Sequence, residues 1–162
     1  MKYQRFEDLP VWNDAVDLSA QIFGFAKDPD LRRLGDAANQ LERAGLSVSN
    51  NIAEGFERGT TQELLTFIYY ARGSAGEVRS ILHVLNRVPA LSHLQSEICH
   101  LMSAAESISR QLRAWAGTLQ NSDVTGTRYM NEKKRTQSEA QQKADACMAK
   151  LKALTPHLQS AI

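Results

Sequence analysis

Arg43-Ala44-Gly45-Leu46-Ser47-Val48-Ser49-Asn50-Asn51-Ile52-Ala53-Glu54-Gly55 is the stretch that decides the fold of this 162-residue chain. Leu41, Ala44, Gly45, Val48, Ile52 and Phe56 recur mostly at spacings of three and four, so at 3.6 residues per turn they share one side of a helix. Arg43, Ser47, Asn50 and Glu54 fall on the other side. Small residues at Ala44, Gly45 and Ala53 admit a close neighbour. The amides, the arginine and the glutamate give this helix more polar detail than a core helix needs.

Working outward, Val11, Ala15, Leu18, Ile22 and Phe25 keep a 4-3-4-3 rhythm, which predicts a first helix with Asp8 as its N-cap and Pro10 in its first turn. It ends near Lys27, where Asp28-Pro29-Asp30 forbids continuation. The second helix starts between Leu31 and Asp36 and runs to about Glu57, with Gly59 as the stop. Thr60 to Glu63 is a capping box opening the third helix, whose expected core stripe is Leu64, Phe67, Ala71, Ala75, Val78, Leu82 and Leu85. Gly73 and Gly76 inside it cost about 1 kcal/mol each relative to Ala, which predicts close approach of backbone to a facing helix, most simply the second. Pro89 closes it, and Ser92 to Gln95 offers another capping box. Leu94, Ile98, Leu101, Ala105, Ile108, Leu112, Trp115 and Leu119 then hold a heptad rhythm for a fourth helix.

Four amphipathic helices with short connections and no period-two stretch predict an all-α, up-down-up-down antiparallel four-helix bundle over residues 1–120. Residues 121–135 read as a linker. Ala140, Ala144, Cys147, Leu151, Leu154 and Leu158 predict a C-terminal helical appendage over 136–162, with a seam too thin for its own core.

Two cysteines, Cys99 and Cys147, suggest neither a disulfide framework nor a zinc knuckle. No apolar run reaches membrane-spanning length and no signal-peptide core follows the N-terminus, so a cytoplasmic protein without a membrane role is expected. Formal net charge is +1: residues 1–120 carry 12 Lys and Arg against 14 Asp and Glu, and 121–162 carry 7 against 4. Attraction to polyanions must therefore come from local stripes or from the tail.

Arg43-Ala44, Ser47-Val48 and Asn51-Ile52-Ala53-Glu54-Gly55 resemble the central signature of the four-helix-bundle proteins encoded in 23S rRNA intervening sequences, a signature shared with the accessory variability determinant (Avd-like) proteins of diversity-generating retroelements. Phe6-Glu7-Asp8-Leu9-Pro10-Val11-Trp12 resembles the family's opening, and Ala71-Arg72-Gly73-Ser74-Ala75-Gly76-Glu77 its third-helix motif. The resemblance covers roughly residues 6 to 120 and does not extend to the tail. It implies a homopentameric ring of bundles and, in the retroelement branch, an accessory to a reverse transcriptase and its template RNA. The signature does not separate the two branches.

Candidate functional residues are those the bundle does not need. Tyr70, Glu77, Ile81 and Val84 lie on one flank of the third helix and, with Leu46 outside the second, suggest a homo-oligomer interface. On the opposite flank Arg72, Arg79, His83 and Arg87 form a basic stripe with Tyr69 near its end. Arg58, Arg110, Arg113 and Lys133-Lys134-Arg135 extend that surface, which suits a phosphate backbone; the resemblance turns the reading toward RNA or an RNA/DNA hybrid. The plain alternative is solvated charges paired with nearby carboxylates. Arg43, Asn51, Glu54, Gly55, Gly73 and Ser74 match the family signature, and the polar ones among them, with Glu77, read as groups fixing helix register.

Catalysis finds little support. Glu97-x-x-His100 has the spacing of carboxylate-bridged metal bundles, but no second copy exists and both residues point away from the expected core. There is no phosphate loop and no nucleophile elbow, and His83, His93, His100 and His157 do not cluster with Cys or Asp at ligand spacings. The sequence reading is a non-enzymatic oligomer that binds structured RNA, with no cofactor and no metal. A protein-interaction module without a nucleic-acid role is the alternative, and a metal-dependent enzyme a third.

Overall fold

Helices form where the apolar spacing places them. In the computed structural model, residues 3–121, 141 and 143–149 are described. A 3-10 turn at Phe6–Asp8 leads into α1 (Pro10–Phe25); α2 is a single turn (Pro29–Arg32). Then come α3 (Ala37–Glu57), α4 (Thr61–Leu85), a 3-10 stretch at Pro89–Leu94, and α5 (Gln95–Gln120). No strand occurs among the described residues. The chain divides into two units, Met1–Gly126 and Thr127–Ile162.

In the first unit, α1, α3, α4 and α5 are the four long helices of an all-α bundle, with α1 and α4 each touching both α3 and α5. Pairs such as Gly55 with Phe67 and Ser47 with Ser74 run in opposite sequence directions, as antiparallel neighbours require. One continuous core results. Leu18, Ile22, Leu41, Val48, Ile52, Phe56, Leu64, Ile68, Leu82, Ile98 and Leu112 are each no more than 1% exposed. No helix among the described residues is long and apolar enough to cross a membrane.

Several boundaries differ from the sequence reading, each for a local reason. Asp8 does not cap α1: it belongs to the preceding 3-10 turn, and Leu9 is the N-cap, with Pro10 at the first helical position where no N–H is needed. Asp28 caps α2 instead, accepting from the backbone N–H groups of Asp30 (2.9 Å) and Leu31 (3.1 Å). Thr60 does cap α4, through Glu63 N–H at 3.2 Å, but Glu63 returns its carboxylate to the Thr60 hydroxyl (2.8 Å), not to its backbone N–H. Ser92 caps nothing. The 3-10 stretch runs straight into α5, so its own turns take up the leading groups.

Two core positions also shift. Phe67 lies on the α3 flank of α4, half-buried, and Leu65 and Ile68 enter the core instead. In α5 the buried seam passes from Trp115 to Ala116, as a 3.6-residue helix drifts away from a strict heptad.

In the second unit, residues 143–149 are helical and exposed, Ala144 and Cys147 among them. Leu151, Leu154, Leu158 and most of the expected linker lie outside the described residues.

Candidate nucleic-acid interface

α3 meets its neighbours at two glycines. A Cβ on Gly45 would lie 2.7 Å from Ile22 Cδ1 of α1, and one on Gly55 would lie 2.5 Å from Phe67 Cβ of α4. Beside Gly45, the buried Ser19 hydroxyl reaches the carbonyls of Ala15 and Gly45, both at 2.9 Å, and ties α1 to α3. The expectation that Gly73 and Gly76 serve such an approach is corrected by the structure, since a Cβ on either meets nothing within 4 Å. Close approach occurs at Gly45 of α3, as its small residues predict, and not at the two glycines of α4.

α4 shows a different flank to each neighbour. Toward α3, the Ser74 hydroxyl lies 3.0 Å from Ser47 Oγ and 3.2 Å from the Tyr70 carbonyl, while Asn51 Nδ2 donates to the Ser47 carbonyl (2.8 Å) and Ser47 Oγ (3.0 Å). This polar chain satisfies Asn51 and Ser74 where the two helices meet. Next to it, Phe67 packs edge-on to Tyr70 at 5.6 Å, with the Arg58 guanidinium 5.1 Å from the Phe67 ring centre. Ile81 packs on the core edge, whereas Tyr70 and Val84 are 57% and 61% exposed, and Glu77 is exposed.

Leu46, also exposed, is not on this flank. It crowns the outer face of α3, one helical step from Gly45, which meets α1, and one from Ser47, which meets α4. Val16 and Phe23 add exposed apolar groups on α1. The apolar surface is thus spread over three helices.

Toward α5 the flank is open. A shallow groove of about 390 Å³ is lined by Tyr69, Arg72, Gly73, Gly76, Arg79 and Ser109. Gly73 and Gly76 leave its floor as bare backbone. Tyr69 stands at one end with its hydroxyl accepting from Gln120 Nε2 at 3.0 Å. One turn along α5 from Ser109 comes Arg113, on the same flank, and further along α4 come His83 and Arg87, the guanidinium donating to the His83 carbonyl at 2.9 Å.

Ion pairing separates the arginines into two sets. Six of the ten described arginines hold carboxylates: Arg5 with Glu7, Arg32 with Glu42, Arg33 with Asp30, Arg43 with Asp36, Arg58 with Glu54, and Arg110 with Glu106. Arg72, Arg79, Arg87 and Arg113 have no carboxylate partner among the described residues, and three of them belong to the basic stripe. Arg58 and Arg110, expected in the same surface, are occupied; hydrogen bonding to Glu54 raises the Arg58 pKa further above its ordinary value. Arg43 and Glu54 hold exposed partners on their own side of the bundle rather than buried ones across a seam. Lys133, Lys134 and Arg135 lie outside the described residues.

The extent of this family likeness is set by direct comparison. The sequence profile of the 23S rRNA-intervening sequence proteins matches residues 7–114. The chain belongs to that family. Its bundle is also similar to a solved structure from Bacteroides thetaiotaomicron, described as a protein with unknown function from the S23 ribosomal protein family: TM-score 0.59, 18% identity, 65% of this chain and 97% of that one covered. Among curated proteins, none matches. In this family member the match spans the whole of α3 and α4 and α5 as far as Ala114, and so both walls of the signature seam and every residue lining the groove.

One cluster lay beyond the sequence reading. Asp28, Asp30 and His93 bring ligand-type atoms within 4.8 Å of one another, although His93 is 65 residues from Asp28. Asp28 already caps α2 and holds His93 Nε2 at 3.1 Å, while Asp30 holds Arg33 at 2.8 Å. That hydrogen bond raises the His93 pKa and, with the cap bonds, lowers that of Asp28. The cluster is a latch between α2 and the 3-10 stretch. Glu97 and His100 are exposed on α5, as their spacing predicts.

Proposed function

We propose that this chain is a non-enzymatic nucleic-acid-binding protein that holds structured RNA, or an RNA/DNA hybrid, on the α4–α5 side of its bundle. The observation that carries this reading is the set of arginines without carboxylates. A paired guanidinium offers a phosphate little, because binding must first break an existing contact; an unpaired one gains charge-assisted hydrogen bonds outright. Arg72, Arg79, Arg87 and Arg113 gather on one side of a chain whose net charge is only +1.

Oligomerisation belongs to the same proposal. Exposed apolar groups on α1 and on α4 lie on either side of α3, and two unlike patches are what a head-to-tail ring contact requires. A homopentamer would repeat the arginine set five times and convert a modest local field into a strong one. The likeness of the signature to retroelement accessory proteins supplies the partners for this reading: a reverse transcriptase and its template RNA, in the cytoplasm.

The test is RNA affinity as a function of salt, for the native protein and for Arg72→Glu, Arg79→Glu and Arg87→Glu combined. Affinity should fall steeply as salt rises, and the triple change should abolish it without altering the oligomer. No affinity at low salt, or affinity that survives the triple change, overturns the assignment. Exposure of Tyr70 and Val84 favours the second reading, a ring that engages only protein.

A further inference from the structure

We infer that the α4–α5 groove takes unpaired nucleotides, with a base stacked on Tyr69 and phosphates against Arg72, Arg79 and Arg113. This rests on the nucleic-acid reading above and narrows it to single-stranded segments of the RNA.

Shape is the first ground. A duplex presents a rigid, convex rod whose phosphates reach only the rim of a surface, and it would gain nothing from a bare helical floor. A groove of about 390 Å³ is the size of a small-ligand site and admits the sugar, phosphate and base of a single unit. Gly73 and Gly76 are what keep it open. The bundle does not require glycine at either place, since a Cβ would clash with nothing, and in a helix interior glycine is unfavourable. A residue that costs stability and relieves no clash is explained when the vacated space is used.

The aromatic group is the second ground. Binding of single strands combines a cationic groove with a ring on which a base can lie. Tyr69 is 43% exposed, and its hydroxyl is held by Gln120, which fixes the ring at the end of the groove. Tyr70, its sequence neighbour, is instead engaged edge-on by Phe67. Arg72 and Arg79 follow Tyr69 along the same flank, separated by about 10 Å of helix axis.

The experiment titrates the full chain with a labelled 20-nucleotide oligouridylate and with a 20-base-pair RNA duplex, at equal ionic strength. The expected result is tighter binding of the single strand, and loss of about tenfold of that affinity in Tyr69→Leu with duplex binding unchanged. Gly73→Ala combined with Gly76→Ala should weaken single-strand binding while raising thermal stability, a pair of opposite signs that a purely structural role would not produce. Duplex bound as tightly as single strand, or single-strand affinity indifferent to Tyr69→Leu, overturns this inference and leaves the electrostatic reading standing. Salt-insensitive or absent binding of both probes overturns the two together.

Discussion

A methyl group placed on Gly55 would lie 2.5 Å from Phe67 Cβ, and one on Gly45 would lie 2.7 Å from Ile22 Cδ1; on Gly73 or Gly76 it would meet nothing within 4 Å. The glycines of α3 are imposed by the neighbouring helices. Those of α4 are not. The difference teaches that a glycine inside a helix states only that a side chain is unwanted, and the surroundings must say whether the objector is the protein itself. Around α3 it is, because Ile22, Leu64 and Phe67 fill the space. Around α4 the space is open and rimmed by guanidinium groups that hold no carboxylate.

If that contrast holds, the largest effect should come from the rim. Charge reversal at Arg72, Arg79 and Arg87 together should lower RNA affinity by about two orders of magnitude or more at low salt and flatten its salt dependence, as measured by fluorescence anisotropy. The same reversal at Arg5 and Arg33, which are exposed and already paired, should change affinity little.

Next in size is Gly55→Ala. The atom it would strike is close to the backbone of α4 and cannot swing aside, so overpacking of about 1 to 3 kcal/mol should outweigh the propensity gain of about 1 kcal/mol, and urea denaturation should show net destabilisation. Gly45→Ala faces only the tip of Ile22 and should cost less. Equal stability of native protein and Gly55→Ala would break the comparison at its α3 end. The Gly73→Ala and Gly76→Ala pair should instead stabilise, by up to about 1 kcal/mol each.

Smaller still is Ser74→Ala, which removes the hydroxyl joining α4 to Ser47. A loss of about 1 kcal/mol is expected, because Ser47 keeps Asn51 as a donor and is not left bare.

The smallest effect concerns the latch between α2 and the 3-10 stretch. His93 has a raised pKa, so its contribution is complete below the ordinary value of 6.5 and fades as pH climbs through the raised value. Asp28 has a lowered pKa, so its contribution is complete above 3.8 and fades as pH falls through the lowered value. The latch is therefore whole between those two ordinary values. Thermal melts should show a slight decline from pH 6 to pH 8 that His93→Gln abolishes.

The sequence made the helices and most of the core legible because burial imposes a period that survives in any single chain: Leu41, Val48, Ile52, Ala75, Leu82, Ile98 and Leu112 are all buried as spaced. Phe67 misled because its spacing also fits the stripe, and which side of the stripe is filled depends on the partner helix. Asp8 and Ser92 misled because a 3-10 turn can precede a helix and leave a capping residue unused. Of the candidate interface, the arginine stripe was visible as a spacing on α4. Ser109 and Gln120 were not, since they reach it from α5. Which arginines are unpaired was also hidden. Pairs such as Arg32 with Glu42 and Arg43 with Asp36 span seven to ten residues and depend on how α2 joins α3.

From residue 3 to residue 121 the chain contains a single lysine, Lys27, so every strong cation along the groove is a guanidinium. Such a group stays protonated at any physiological acidity and is no substrate for acetyl transfer. Under the proposed function, release of a bound strand would then not answer to acetylation or to titration of these nitrogens. Rival anions, or another strand annealing to the bound one, would have to compete it off.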